Sequence, residues 1–282
     1  MTPEAILSHP ALKLTQAQRE AYFRDGYLLL ERIVPMETVE LLRRTTTEMV
    51  DRSRKVTKSD AVWDLENGHS ALRPRLRRLS APCDHHPVYW DYVRDFLGEI
   101  SADLLGPDVK FHHSKLNFKW AKGGEEVKWH QDIIGWPHTN YSPLTIGCYL
   151  HDVGLDQGPL AVLPGSHNGP LYDERDEQGR WVAAVLPSEL ATLDLTRTVY
   201  LPGPAGSLTI HNCRTLHSSK PNLAPIGRPL LLYAYSAADA FTYTPNPLPT
   251  PYAGQVIRGE PAKWAHHDPR PCIIPPDYSK GF

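Results

Sequence analysis

Trp129-His130-Gln131-Asp132 is the segment with the clearest chemical content. Side chains two apart on an extended strand leave the same face, so His130 and Asp132 can offer an imidazole and a carboxylate to one cation. A third ligand has to come from another strand. Cys213-Arg214-Thr215-Leu216-His217-Ser218-Ser219 supplies His217 just beyond an expected strand over 207–211. Two imidazoles and one carboxylate on one side of a metal leave the opposite positions open, which suits non-haem Fe(II) and oxygen chemistry. On periodicity alone His211 competes with His217 for that place. Arg228 lies eleven residues after His217 and opens the next expected strand. Its planar fork can grip a carboxylate more selectively than a lysine would.

Other groups near these motifs have plainer readings. Trp129, Gln131, Trp136, His138 and Tyr141 surround the H-x-D segment, but aromatic residues in a β-rich core more often pack than line a pocket, and Gln131 faces away if the strand is regular. Arg73-Pro74-Arg75-Leu76-Arg77-Arg78 is a local basic cluster, suited to a salt-bridged loop or to receiving an acidic substrate at the mouth of a site.

The elements that must position these residues fall into two parts. Thr15 and Gln18 form a capping box for a helix that runs to Asp25 and stops at Gly26, before a short strand over 27–30. Pro35 opens a second helix with Val39, Leu42, Thr46 and Met49 at helical spacing, and a third is expected from Pro87 to about Leu97. The stretch 45–78 shows little pattern and reads as a mobile loop, with a lid as one use for it. From about Val109 strands dominate: 115–120, 127–131, 144–151, 160–163, 181–186, 207–211 and 229–236 are candidates, separated by Gly/Pro connections. Helices first and many short strands after point to a mainly β jelly roll with flanking helices, not to a Rossmann sheet. The last 38 residues hold nine prolines and read as a tail draped over the domain.

Composition excludes several classes. In 282 residues, 30 Lys+Arg against 32 Asp+Glu give a net charge of −2, with no broad field for nucleic acid or acidic lipid. No apolar run approaches a membrane span, and the start lacks the order of a secretion signal. Cys83, Cys148, Cys213 and Cys272 are far apart and form no C-x-x-C pair. The expectation is a cytoplasmic protein with a small-molecule substrate and neither nucleic-acid nor membrane partner; oligomeric state is not encoded legibly.

Taken together, several ordered motifs resemble the phytanoyl-CoA dioxygenase family of Fe(II)/2-oxoglutarate oxygenases. They are Phe23-x-x-Asp25-Gly26-Tyr27-Leu28, His130-Gln131-Asp132, Asp156-Gln157-Gly158-Pro159 with Leu163-Pro164-Gly165-Ser166-His167, and His217-Ser218-Ser219-x-x-Asn222 with Arg228, over about residues 15–236. The resemblance implies a double-stranded β-helix (jelly roll, cupin-like), with iron held by His130, Asp132 and His217 and His211 left as a bystander. It implies that Arg228, helped by Ser219, holds the distal carboxylate of 2-oxoglutarate, and that Asn117 touches co-substrate or substrate. It further implies consumption of O2, release of succinate and CO2, and hydroxylation of a small or medium organic molecule. Related halogenases replace the carboxylate ligand with a small residue, and Asp132 argues for oxygenation. The expected layout is a single domain over 1–282: a helical part over about 15–106, a jelly-roll core over about 109–240 and a Pro-rich tail over about 241–282. Rival readings are a cupin-type metalloenzyme that does not use 2-oxoglutarate, for which Arg228 has no purpose, and a non-catalytic binding protein on the same fold.

Overall fold

The computed structural model describes residues 1–276, so the end of the tail expected over 241–282 lies outside the described residues. Helix α1 (Pro3–Ser8) starts at a Thr2 cap. Helix α2 (Gln16–Asp25) starts at the expected box: the Thr15 hydroxyl accepts from the Gln18 N–H, and the Gln18 side chain accepts from the Thr15 N–H. It ends at Gly26, whose φ of 83° and close approach to His167 and Thr215 exclude a side chain. Strand β1 (Tyr27–Leu30) follows, and α3 (Met36–Arg52) buries Val39, Leu42, Thr46 and Met49 as their spacing demands. Helix α4 (Pro87–Tyr92) passes through a π turn at Val93–Leu97 into α5 (Gly98–Leu105). The third helix is therefore longer than expected. Gly98 takes ordinary helical dihedrals and does not stop it; Gly106, at φ 98°, does.

The remaining strands are β2 (Trp63–Leu65), β3 (Leu76–Ser80), β4 (Val109–Lys119), β5 (Val127–His130), β6 (Leu144–Tyr149), β7 (Leu160–Val162), β8 (Val199–Leu201), β9 (Leu208–Asn212), β10 (His217–Ser219), β11 (Arg228–Ala237) and β12 (Val256–Arg258). They form two antiparallel sheets. The large one runs β1-β9-β6-β11-β4-β3-β2, with β12 from the tail added to β4; the small one runs β5-β10-β7-β8. One face of the large sheet packs on the helices through Leu116, Ile146, Ile210, Leu231, Tyr233 and Tyr235. Its other face looks toward the small sheet, which is the jelly-roll arrangement.

Two expectations fail. The stretch 45–78 is no patternless lid: its first residues complete α3, and β2 and β3 form a hairpin that extends the large sheet beyond β4. Leu76 and Leu79 are fully buried there, each contributing roughly 2 kcal/mol by removal from water. The strand expected over 181–186 is a loop. Ala183 has a φ of 50°, and the Val182 and Val185 N–H groups bond singly to Glu174 and Trp129 rather than to a ladder. Its apolar residues are there because Ala184 and Val185 are buried.

Candidate metal and co-substrate site

The H-x-D segment spans the end of a strand. His130 closes β5, Gln131 keeps extended dihedrals, and Asp132 opens a single helical turn, α6 (Asp132–Gly135). That keeps His130 and Asp132 on one side while Gln131 turns away to donate to the Pro170 and Arg214 carbonyls. His217 opens β10 and is the direct cross-strand partner of His130. Neighbours of that kind bring side chains within reach of one ion.

Hydrogen bonds fix which atoms face inward. His130 Nδ1 is 2.8 Å from the Lys128 carbonyl, and His217 Nδ1 is 2.9 Å from the Thr215 carbonyl. A carbonyl only accepts, so both Nδ1 atoms carry the proton and both Nε2 atoms keep a free lone pair. Each Nε2 lies 3.9 Å from Asp132 Oδ1. Asp132 Oδ2 accepts instead from the Thr145 hydroxyl at 2.7 Å and from His211 Nε2 at 3.1 Å. Thr145 and His211 are cross-strand partners on β6 and β9, so the large sheet holds one carboxylate oxygen and frees the other. Burial pushes His130 and His217 down from the usual imidazole range and keeps them neutral. Burial works to raise Asp132, but the hydrogen bond from His211 and neighbouring positive charge outweigh it and hold the carboxyl well below its usual range. Two neutral imidazoles, each with one outer partner, and a carboxylate with two, every one of the three keeping a free donor atom, are what a 2-His-1-carboxylate iron site requires.

Arg228 opens β11 opposite Lys119 of β4 and is buried. Its Nη2 donates to the Gly158 carbonyl at 2.6 Å and to the Ser219 hydroxyl at 2.9 Å, and Ser219 in turn donates to the same carbonyl. Nη1 bonds to no described protein group, and the arginine lines the cavity that holds the three ligand residues. A fork with one edge fixed and the other open can receive a carboxylate. Lys119 is a post rather than a ligand group: Nζ donates to the Glu125, Ser219 and Lys220 carbonyls, and burial lowers it to about 7.

The cavity, about 130 Å³, lies between the sheets. Alternate residues of two paired strands line it: Lys115, Asn117 and Lys119 from β4, and Arg228, Leu230 and Leu232 from β11. Asn117 thus faces the site, as expected, with its Oδ1 accepting from Arg78 Nε at 3.2 Å. Trp129, Trp136, His138 and Tyr141 do not line it; Trp136 packs with Ile133 and Ile134. In the basic cluster, Arg75 pairs with Glu66 and Arg77 with Asp64 and Glu125; Arg77 and Arg78 both line the cavity, and Arg78 alone of the two makes no ion pair among the described residues. His211 needs correction: it is no bystander, because it positions Asp132. Thr145 has the same task and escaped the sequence reading altogether, since only the β6–β9 register reveals it.

Residues 22–230 match the family model described as phytanoyl-CoA dioxygenase. The chain belongs to the phytanoyl-CoA dioxygenase family. It is accordingly an Fe(II)/2-oxoglutarate-dependent dioxygenase on a jelly-roll fold. It is 34% identical over 227 residues to a probable alpha-ketoglutarate-dependent hypophosphite dioxygenase of Stutzerimonas stutzeri, covering 79% of each chain. It is 31% identical over 254 residues to an L-proline trans-4-hydroxylase of Streptomyces griseoviridis, covering 82% of this chain and 89% of that one. Among solved structures, the fold is similar to EctD from S. alaskensis with bound Fe, with a TM-score of 0.69 at 24% identity over 95% of this chain and 91% of that one. Among the described residues of this dioxygenase, no helix is long and apolar enough to cross a membrane.

Proposed function

We propose that this dioxygenase hydroxylates a small polar molecule in the cytoplasm, with His130, Asp132 and His217 as its iron ligands and Arg228 with Ser219 as the seat of the 2-oxoglutarate distal carboxylate. The observation that carries the assignment is the convergence of His130 Nε2, His217 Nε2 and Asp132 Oδ1, with the open edge of Arg228 on the same cavity. The relatives' names, hypophosphite dioxygenase and L-proline hydroxylase, support a small polar substrate. Four free cysteines suit a reducing compartment.

When bound, the iron supplies O2 activation coupled to oxidative decarboxylation of 2-oxoglutarate to succinate and CO2, with one oxygen atom passing to the substrate. The protein's own part is placement. Asp132 offsets one of the two cationic charges while Thr145 and His211 fix its orientation. Arg228 orients the co-substrate by its far end. Asn117 offers an amide to whatever lies between, and Leu160, Leu230 and Leu232 exclude water from the reacting atoms. A cupin-type enzyme without 2-oxoglutarate would have no use for a buried arginine with a free edge.

Arg228→Met tests the co-substrate assignment. Succinate release across a panel of small metabolites identifies the substrate in the unaltered protein. The variant then requires at least tenfold more 2-oxoglutarate, with iron affinity nearly unchanged. An unchanged 2-oxoglutarate requirement removes Arg228 from the role.

A further inference from the structure

Two cations on the cavity wall make no direct ion pair among the described residues. Lys115 is on β4, one alternate position from Asn117, and lines the cavity near Asp132. Its Nζ makes no hydrogen bond and no ion pair within 4 Å among the described residues. Arg78 is on β3 directly opposite Asn117. Its sole polar contact among the described residues is the neutral Asn117 amide oxygen. Their neighbours behave differently: Arg75 and Arg77 are both paired with carboxylates at 2.7 Å.

The other carboxylates on this cavity are spoken for. Asp132 faces the imidazoles, Glu125 is taken by Arg77, and Glu126 lies toward Lys119. Charge counting then isolates the pair. A divalent iron, Asp132, doubly ionised 2-oxoglutarate and Arg228 sum to zero, and Arg77 with Asp64 and Glu125 carries one surplus negative charge near Arg78, so Lys115 and Arg78 together retain one positive charge for a further anion. One carboxylate of 2-oxoglutarate is assigned to Arg228 and the other to the metal, which leaves at most one spare carboxylate oxygen and no further negative charge for Lys115 and Arg78. Both side chains are half-buried on the cavity wall, and desolvation lowers both from their ordinary values, opposed only by carboxylates beyond ion-pair distance, Asp132 for Lys115 and Asp64 and Glu125 for Arg78. A charge so placed is favoured when an anion pairs with it directly.

We infer that the substrate of this dioxygenase is a small anion, seated through a carboxylate or a phosphorus oxyanion on Lys115 and Arg78, beside the metal and across the cavity from Arg228. The inference rests on the proposed placement of 2-oxoglutarate on Arg228. It assigns Arg78 and Lys115 to substrate selection and leaves Arg75 and Arg77 to holding the β2–β3 hairpin. A planar guanidinium and a mobile ammonium accept either oxyanion geometry, so the probes must separate them.

Anaerobic protein loaded with Fe(II) and 2-oxoglutarate is titrated with hypophosphite, methylphosphonate, acetate and L-proline. Dimethyl methylphosphonate and acetamide serve as uncharged counterparts. Binding is read from perturbation of the visible charge-transfer band and from the thermal midpoint. The expected result is a response to the phosphorus oxyanions or to the carboxylates, with the uncharged counterpart at least tenfold weaker. Lys115→Met and Arg78→Met each weaken the anion tenfold or more while 2-oxoglutarate affinity stays within twofold, and Lys115→Arg retains most of it. The inference is overturned by equal binding of charged and uncharged probes, by no response to any anion, or by a Lys115→Met variant that loses 2-oxoglutarate itself. A charge-transfer band with no anion response sinks this inference alone, whereas a missing band in the unaltered protein sinks the co-substrate placement beneath it.

Discussion

Asp132 has its two oxygens assigned by different sheets. Oδ2 is tied to Thr145 and His211 of the large sheet, and Oδ1 is left facing the imidazoles of the small one. Outer partners of this kind commonly carry 10–100-fold of metal affinity. Thr145→Val keeps the side chain's shape and removes one donor, so Fe(II) affinity is expected to fall about tenfold with the fold intact, measured by equilibrium metal titration beside circular dichroism. Unchanged affinity would mean that Oδ2 needs no anchoring. The residue types and the two-residue spacing made His130 and Asp132 legible in the sequence, and the family resemblance used the distance from His217 to Arg228 to choose His217 over His211 as the third ligand. Thr145 and His211 were hidden because their roles exist only once β6 and β9 are in register. Arg78 was visible in the sequence only as one of a basic cluster suited to a salt-bridged loop or to an acidic substrate, and Lys115 was hidden, because which cations lack a direct partner is a property of the assembled cavity.

Among the elements, the turn at Asp156-Gln157-Gly158-Pro159 positions the co-substrate arginine. Gly158 has a φ of 62°, and a Cβ there would lie 2.1 Å from the Lys220 carbonyl oxygen. Its own carbonyl accepts from both Arg228 and Ser219. Gly158→Ala must therefore displace either that turn or the segment after β10, at a cost of roughly 1–3 kcal/mol from backbone strain. The expected outcome is a lower urea midpoint together with weaker 2-oxoglutarate binding; loss of neither would show that the turn is only a connection. Elements with clear patterning, such as α3, β4 and β11, were readable from sequence, and α2 was readable from its capping box and its glycine stop. The β2–β3 hairpin was not, since a register shift between Asp64 and Leu65 breaks its alternation and Asp64, Arg77 and Arg78 interrupt its short apolar pattern. The loop over 181–186 misled in the opposite direction, because burial alone can select apolar residues without any strand pairing.

On the scale of the molecule, the sandwich encloses more imidazole than the metal site uses. Burial lowers His113 to about 3 and His138 to about 4, and both pack against Trp136. A folded-state value below the unfolded one means that the unfolded chain binds more protons, so stability drops as pH falls below about 6.5 and keeps dropping until the folded groups titrate near 3 to 4. For His138 the span amounts to on the order of 3 kcal/mol. His138→Gln, which retains a donor for the Trp136 carbonyl, is expected to flatten the fall in urea midpoint between pH 6.5 and 4; parallel curves for variant and parent would contradict the burial argument. The jelly roll itself was foreseeable from helices followed by short strands, but the tail's contribution of β12 to the large sheet was not, because three residues among so many prolines carry no period. The account as a whole depends on three side chains from β5, α6 and β10 holding one iron. Anaerobic addition of Fe(II) and 2-oxoglutarate measures this most directly: the unaltered protein should develop the visible charge-transfer band of a chelated keto acid, and Asp132→Ala and His217→Ala should each abolish it. A band of normal intensity in both folded variants would contradict the account.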